Sequence, residues 1–317
     1  MELFEVKKLA DTLKANILRV LVGRDDTIDK VLISLFCAGH VLLEDVPGVG
    51  KTMLAKCLAK SLRCEFKRVQ FTPDLLPSDL TGINYFDQKQ GDFIFRSGPV
   101  FTNIVLADEI NRATPRTQSS LLECMEEGQV TVDGDTRRLG KPFFVMATQN
   151  PVETRGTFPL PEAQLDRFFM RLQMGYPSPD EGREILRRFR GDDPSSALET
   201  VADGEAIIQA QASVAGVRVS DPLEQYIIDI IEATRHNERI SLGVSPRGSI
   251  ALMKAAQVCA AFDGRDFVMP DDVKKVAVPV LSHRMILKGH AISGGTGDAE
   301  NTVRDILKNV TVPIEEF

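Results

Sequence analysis

The 317 residues are 43% hydrophobic and 26% charged, the composition of an ordinary globular protein with length for about two domains. A net charge of −7 excludes a basic footprint for nucleic acid or an anionic membrane surface. Five cysteines with no C-x-x-C pair, and four histidines without metal-ligand spacing, point to buried thiols in a reducing cytoplasm and to no zinc site.

From Leu3 to about Val20 the apolar residues Leu9, Leu13, Ile17 and Leu18, continuing to Leu21, fall on one helical face. Met1–Arg19 lacks the apolar centre of a secretion signal. Val22-Gly23-Arg24 breaks the pattern, either as a plain turn or as a turn whose backbone lines an adenine pocket. A second helix runs from about Asp26 to Ala38. The longest apolar run, Val31–Leu43, is interrupted by Ser34, Gly39 and His40 and is too short to span a bilayer, so no membrane insertion is expected.

His40–Met53 then reads HVLLEDVPGVGKTM. A short apolar strand meets a turn holding Gly48, Val49 and Gly50, followed by Lys51, Thr52, Met53 and an amphipathic helix to about Arg63. This is the order of a phosphate-binding loop. Glycines let successive backbone N–H groups turn inward toward phosphate oxygens, and the helix start adds its positive end. In such loops the lysine reaches the β and γ phosphates and the hydroxyl of Thr52 meets Mg²⁺. The full pattern has glycine where this chain has Asp45, preceded by Glu44; two acids beside a polyphosphate must point away.

Phe66–Phe71 alternates as a strand. Residues 72–100 are rich in Pro and Gly, with a hairpin around Gln90-Gly91-Asp92, long for a mere connection. Asn103–Ala107 is a buried strand ending in Asp108-Glu109. Either it runs into an acidic loop, or Asp108 meets Mg²⁺ and Glu109 orients an attacking water. Pro115–Glu127 is a helix stopped by Gly128, and Gln129–Leu139 a hairpin turning at Asp133-Gly134. Phe143–Ala147 is a buried strand leading to Asn150, which either holds the water or turns the chain before Pro151. A helix turn over Glu162–Phe169 and a strand over Met170–Met174 follow. Alternating strands and helices imply a parallel sheet covered on both faces.

Composition shifts at Tyr176-Pro177, where a domain boundary is placed. Beyond it the chain reads as nearly all helix. Starts are marked at Ser178-Pro179-Asp180-Glu181, at Asp221-Pro222 and at Ser245-Pro246, with a further helix over Asp271–Leu281. Arg247 lies in a first helical turn, so its side chain points back past the helix start, to a phosphate or to a surface carboxylate. Gly289–Asn301, with Gly294, Gly295 and Gly297, reads as a flexible connector, and about Thr302–Val310 as a last helix.

HVLLEDVPGVGKT, LADEINRATPRTQSSLLECMEEGQVTVDG, ATQNPVETRGTFPLPEAQLDRFFMR, GYPSPDE and SPRGSIALMKAA together resemble the MoxR branch of the AAA+ ATPases over roughly residues 10–290. The resemblance implies an α/β AAA+ core (1–176) followed by a helical lid (177–317). It implies Lys51 and Thr52 as Walker A, Asp108 and Glu109 as Walker B, Asn150 as sensor 1 and Arg247 as sensor 2 reaching the γ-phosphate. Arg167 matches an arginine finger acting on a neighbour's ATP, with Arg171 a nearby second candidate, and Val22-Gly23 the adenine-side turn. The segments 80–98 and 129–139 match pore-facing insertions. The cofactors implied are ATP and Mg²⁺. The implied assembly is a ring, usually a hexamer, acting like a chaperone on proteins that often carry von Willebrand factor A domains. Beside this remodelling ATPase stand a nucleotide-gated scaffold without turnover, a chelatase-like motor subunit, and a nucleic-acid motor, which the acidic balance opposes.

Overall fold

The computed structural model describes residues 1–151, 156–190, 194–289 and 296–313. Two helices, α1 (Leu3–Leu18) and α2 (Asp25–Phe36), precede the first strand, β1 (Val41–Glu44). α3 (Lys51–Ser61) leads to β2 (Phe66–Gln70). A short helix, α4 (Pro77–Thr81), introduces the hairpin β3 (Gly82–Asp87) and β4 (Asp92–Ser97). β5 (Ile104–Asp108) and α5 (Pro115–Glu127) lead to a second hairpin, β6 (Gln129–Val132) and β7 (Asp135–Arg138). β8 (Phe144–Gln149), α6 (Glu162–Leu165) and β9 (Met170–Leu172) complete this half.

Five strands form one parallel sheet in the order β2-β5-β8-β1-β9. The chain leaves β1 for the far edge, returns through β5 and β8, then crosses β1 to reach β9. The end of β1 is therefore a switch point of the topology, where open α/β sheets bind ligands. Alternate residues feed two cores. Val41, Leu43, Ile104, Leu106, Phe144 and Met146 face the side packed by α1–α3, while Leu42, Val105, Ala107, Val145 and Ala147 face the side packed by α5. Burial on both faces is what a parallel sheet needs.

The C-terminal part holds α7 (Pro179–Arg188), α8 (Gly204–Val214), α9 (Asp221–Arg235), α10 (Pro246–Phe262), α11 (Pro270–Leu281) and α12 (Thr296–Asn309). A two-stranded ribbon, β10 (Ile240–Leu242) with β11 (Ile286–Leu287), lies among them. The box at Ser178 forms, with Ser178 N–H donating to Glu181 at 2.7 Å and Glu181 N–H returning to Ser178 Oγ at 3.3 Å. At Asp221 the cap moves back to Ser220, and its side chain makes no capping bond. α12 begins at Thr296, six residues before the start read from the sequence. Gly297 sits in its first turn; Gly294 and Gly295 lie outside the described residues. The larger core runs unbroken from α1–α3 into α8–α12.

The two hairpins touch: Asn84 Nδ2 donates to Asp133 at 2.8 Å, and the Arg137 guanidinium lies 4.1 Å from the Phe95 ring centre. Among the described residues no helix is long and apolar enough to cross a membrane.

Candidate nucleotide site

The loop after β1 turns through Gly48 (φ +84°) and Gly50 (φ +102°). A Cβ on Gly48 would meet nothing within 4 Å, so the demand for glycine there is conformational, not steric. Gly50 caps α3 with no side chain on its first amides, which stay available to an anion. The loop opens onto a cavity of about 670 Å³, within the usual size of a small-molecule site. Gly48, Gly50, Lys51, Thr52 and Met53 form one wall. Arg68 and Gln70 of β2, Asp108 and Glu109 after β5, Arg112, and Asn150 after β8 form the other. Val49 packs toward the larger core instead.

Lys51 Nζ donates to the Asp45 carbonyl at 2.9 Å. Partial burial pulls the Lys51 ammonium below the usual lysine range, against the opposing pull of Asp108, Asp45 and Glu109. Asp108 is held from two sides. Thr148 Oγ1 donates to its Oδ1 at 2.6 Å, and Arg68 donates to its Oδ2 through Nε (3.1 Å) and Nη2 (2.6 Å). Glu109 sits at φ +57°, a left-handed conformation uncommon outside glycine. Its N–H donates to Thr148 Oγ1 at 2.8 Å, and its carboxylate accepts from Gln70 Nε2 at 2.7 Å and pairs with Arg112 Nε at 3.1 Å. Thr148 thus aims both acids. Sequence reasoning missed Thr148, Arg68, Gln70 and Arg112. The one local signal was the i, i+2 spacing of Arg68 and Gln70, which puts both on the same face of an edge strand.

Asp45, the departure from the loop pattern, is buried and turned away from the cavity. Its carboxylate accepts from the amides of Val46, Met174 and Gly175. Val22 and Gly23 do not line the cavity. The turn adjoins the loop outside this cavity: a Cβ on Gly50 would come within 3.5 Å of Leu21, and a Cβ on Gly23 would strike Glu181 of α7.

Two of the remaining candidates, Arg167 and Arg247, lie at the other end of the strands. His40, just before β1, is buried; its Nδ1 accepts from Val145 N–H (3.1 Å), so Nε2 carries the proton donated to Met125 O (3.0 Å). Burial pushes its pKa down to about 4. Next to Met125, Glu126 holds two arginines at once: Arg247 Nη2 at 2.5 Å and Arg167 Nε at 3.2 Å. Both arginines line a second cavity of about 320 Å³ with His40 and Glu126. The structure therefore does not bring Arg247 to the phosphate loop of its own chain. It bridges to a carboxylate, because α10 starts beside Asp166 and the end of α5, where Ser245 Oγ meets Asp166 at 3.2 Å. Nor does Arg171 accompany Arg167. It is 12% exposed, faces Glu44 at 3.9 Å, and burial pulls its pKa down. Its place in the middle of β9 keeps it off the surface. Arg284 locks the junction, donating to Asp166 Oδ1 (2.9 Å), Phe168 O (2.6 Å) and Phe169 O (3.1 Å).

Residues 40–170 match the model of the ATPase family associated with various cellular activities (AAA), and residues 232–306 that of the AAA lid domain. Chaperone MoxR1 of Mycobacterium tuberculosis is 40% identical over 93% of this chain and 80% of its own length. The chain belongs to the MoxR family of AAA+ ATPases. An uncharacterized Bacillus subtilis protein, YeaC, is 54% identical over 94% of this chain and 92% of its own. A crystal structure from Cytophaga hutchinsonii, described as a candidate ATPase, superposes with a TM-score of 0.90 at 38% identity, covering 98% of this chain and 97% of that one. The sheet, the phosphate loop and the helical lid of this MoxR-family chain are thus a shared architecture.

A divalent cation fits the donor set. Thr52 offers a hydroxyl and Asp108 one carboxylate, the sparse protein ligation that Mg²⁺ accepts when phosphates and water complete its shell. Among the described residues no cluster of three or more His, Cys, Asp or Glu would hold a metal unaided.

Proposed function

We propose that this chain is an ATP-hydrolysing remodelling motor of the MoxR type that works as a ring. One observation carries the reading: Lys51, Thr52, Asp108, Glu109 and Asn150 share a cavity at the strand ends, while Arg167 and Arg247 sit together at the strand starts. A single chain then holds one complete half of a hydrolytic site and offers the other half outward. In this reading Lys51 and the loop amides bind the β and γ phosphates. Thr52 and Asp108 would hold Mg²⁺, which supplies positive charge at the phosphate oxygens. Glu109 and Asn150 orient the attacking water, and Arg68, Gln70, Arg112 and Thr148 keep the two acids in register. Arg167 and Arg247 serve the ATP of the neighbouring subunit, so closure of a ring, taken as a hexamer, completes each site. The division between the core and the lid is placed at Tyr176-Pro177.

The name of the 40%-identical relative, a chaperone, supports a protein client. Von Willebrand factor A domain proteins are the candidates, with no nucleic acid required. Five free thiols suit a cytoplasmic setting. The test is turnover per subunit against protein concentration, with assembly followed by light scattering. Turnover is expected to rise with assembly and to fall by about a hundredfold or more in Glu109→Gln and Arg167→Ala. A wild type that assembles with ATP and client protein yet does not turn over would make the chain a gated scaffold instead.

A further inference from the structure

Asp45 occupies the first glycine position of the phosphate-loop pattern, and its carboxylate faces neither phosphate nor solvent. It is 7% exposed. It accepts from Gly175 N–H at 2.8 Å, from Val46 N–H at 3.1 Å and, in a still closer contact, from Met174 N–H. The other side of Gly175 is pinned too, because Arg24 Nη2 donates to its carbonyl at 3.0 Å from the turn before α2. Met174 and Gly175 are the last residues of the core before the chain passes through exposed Tyr176 to α7. The backbone of Asp45 faces the nucleotide side. Its N–H donates to Gln149 O at 3.0 Å, next to Asn150, and its carbonyl accepts from Lys51 Nζ at 2.9 Å. One residue therefore touches the loop lysine, the end of the strand that leads to Asn150, and the linker to the lid.

We propose that Asp45 is a positioning residue through which the phosphate loop holds the core–lid linker, so that nucleotide at the loop sets the placement of the helices beyond it. The inference rests on the reading of this loop as an ATP site. Any movement of the Lys51 ammonium toward a phosphate is felt first at Asp45, whose carboxylate grips the linker amides. A buried carboxylate accepting several amides is a strong, directional tie. Glycine at this position keeps the loop pattern and loses the tie. Nucleotide binding and lid response are then separable.

The experiment compares the full-length wild type with Asp45→Gly and Asp45→Asn. Three readouts are ATP affinity, the kcat and KM of hydrolysis, and hydrogen exchange of the 172–176 backbone with and without a non-hydrolysable ATP analogue. In the wild type the analogue is expected to slow exchange across Met174 and Gly175. Asp45→Gly should bind ATP within about threefold of wild type, exchange about tenfold faster there whether or not analogue is present, and lose about tenfold in kcat at unchanged KM. Asp45→Asn keeps one acceptor oxygen and should fall between, which carries the test if the glycine variant does not fold. Wild-type kcat and a nucleotide-sensitive linker in Asp45→Gly overturn the proposal and leave the ATP site standing. Loss of ATP affinity in step with kcat also overturns it, making Asp45 a part of loop shape. A wild type that binds no ATP removes both readings.

Discussion

The two ends of the central sheet carry different kinds of information. Where the strands end, one continuous stretch supplies the loop, its lysine and its hydroxyl, and the adjacent strand tips supply the acids. Where the strands start, the end of α5, the segment before β9 and the start of α10 meet around Glu126, the last of them 121 residues further along the chain. The first end is a binding site built locally. The second is a surface assembled from distant pieces, whose arginines are tied to a carboxylate that, in the proposed ring, a neighbour's phosphate would replace. The proposed ring motor needs both ends, and the contrast predicts which defects a partner subunit would repair.

Subunit mixing breaks this comparison most sharply. Arg167→Ala alone should lose on the order of 10³ in turnover, the scale of an arginine supplied in trans. Glu109→Gln alone should lose on the order of 10². Equimolar mixtures should regain a measurable fraction, because a Glu109→Gln subunit lends its arginine to an Arg167→Ala neighbour. Mixtures as inactive as their parents would place Arg167 in its own chain's site.

Acid should loosen the strand-start end. His40 has a folded pKa of about 4 against an ordinary 6.5, so between these values the unfolded chain binds a proton that the native fold refuses. Its stabilising contribution is therefore present above about pH 6.5 and fades as pH falls to about 4, a loss on the order of 3 kcal/mol. His283, also buried and depressed, acts in the same direction. Denaturant unfolding of His40→Gln should start less stable at pH 7.5 and fall less steeply below pH 6.5. Parallel slopes for the two proteins would remove His40 as the cause.

A smaller effect separates the two arginines. Arg171→Met leaves the Glu44 carboxylate buried beside an apolar side chain and should cost about 2 kcal/mol of stability. Its turnover, once assembled, should stay within about twofold of wild type, whereas a collapse like that of Arg167→Ala would make Arg171 the finger. Smallest of all, Thr148→Val should lower kcat about tenfold with little change in ATP affinity, since it frees Asp108 and Glu109 to turn. An unchanged kcat would mean that Arg68 and Gln70 suffice to hold them.

Elements with strong local signals were legible in the sequence. α1, both hairpins and the parallel strands follow from periodicity and turn residues. α8 lacks the Pro-acid start of its neighbours and is rich in small residues, although Asp203 does cap it, accepting from Ala206 N–H at 3.0 Å. β10 and β11 are three and two residues long and pair across more than forty residues of chain, too little pattern to find. α12 starts early because a glycine is tolerated in a first helical turn.

The sequence by itself determined the chemistry that a contiguous stretch can hold: glycines where the loop needs positive φ, Lys51 and Thr52 at a helix start, acids at a strand tip. The same local logic said that Asp45 must point away. Only the tertiary structure decided where it points, which donors aim Asp108 and Glu109, and that Glu126 gathers Arg167 and Arg247. Apart from the local contacts of Arg112 and Val46, those choices join residues 39 to 130 positions apart, and strand order and helix placement, not periodicity, bring such pairs together.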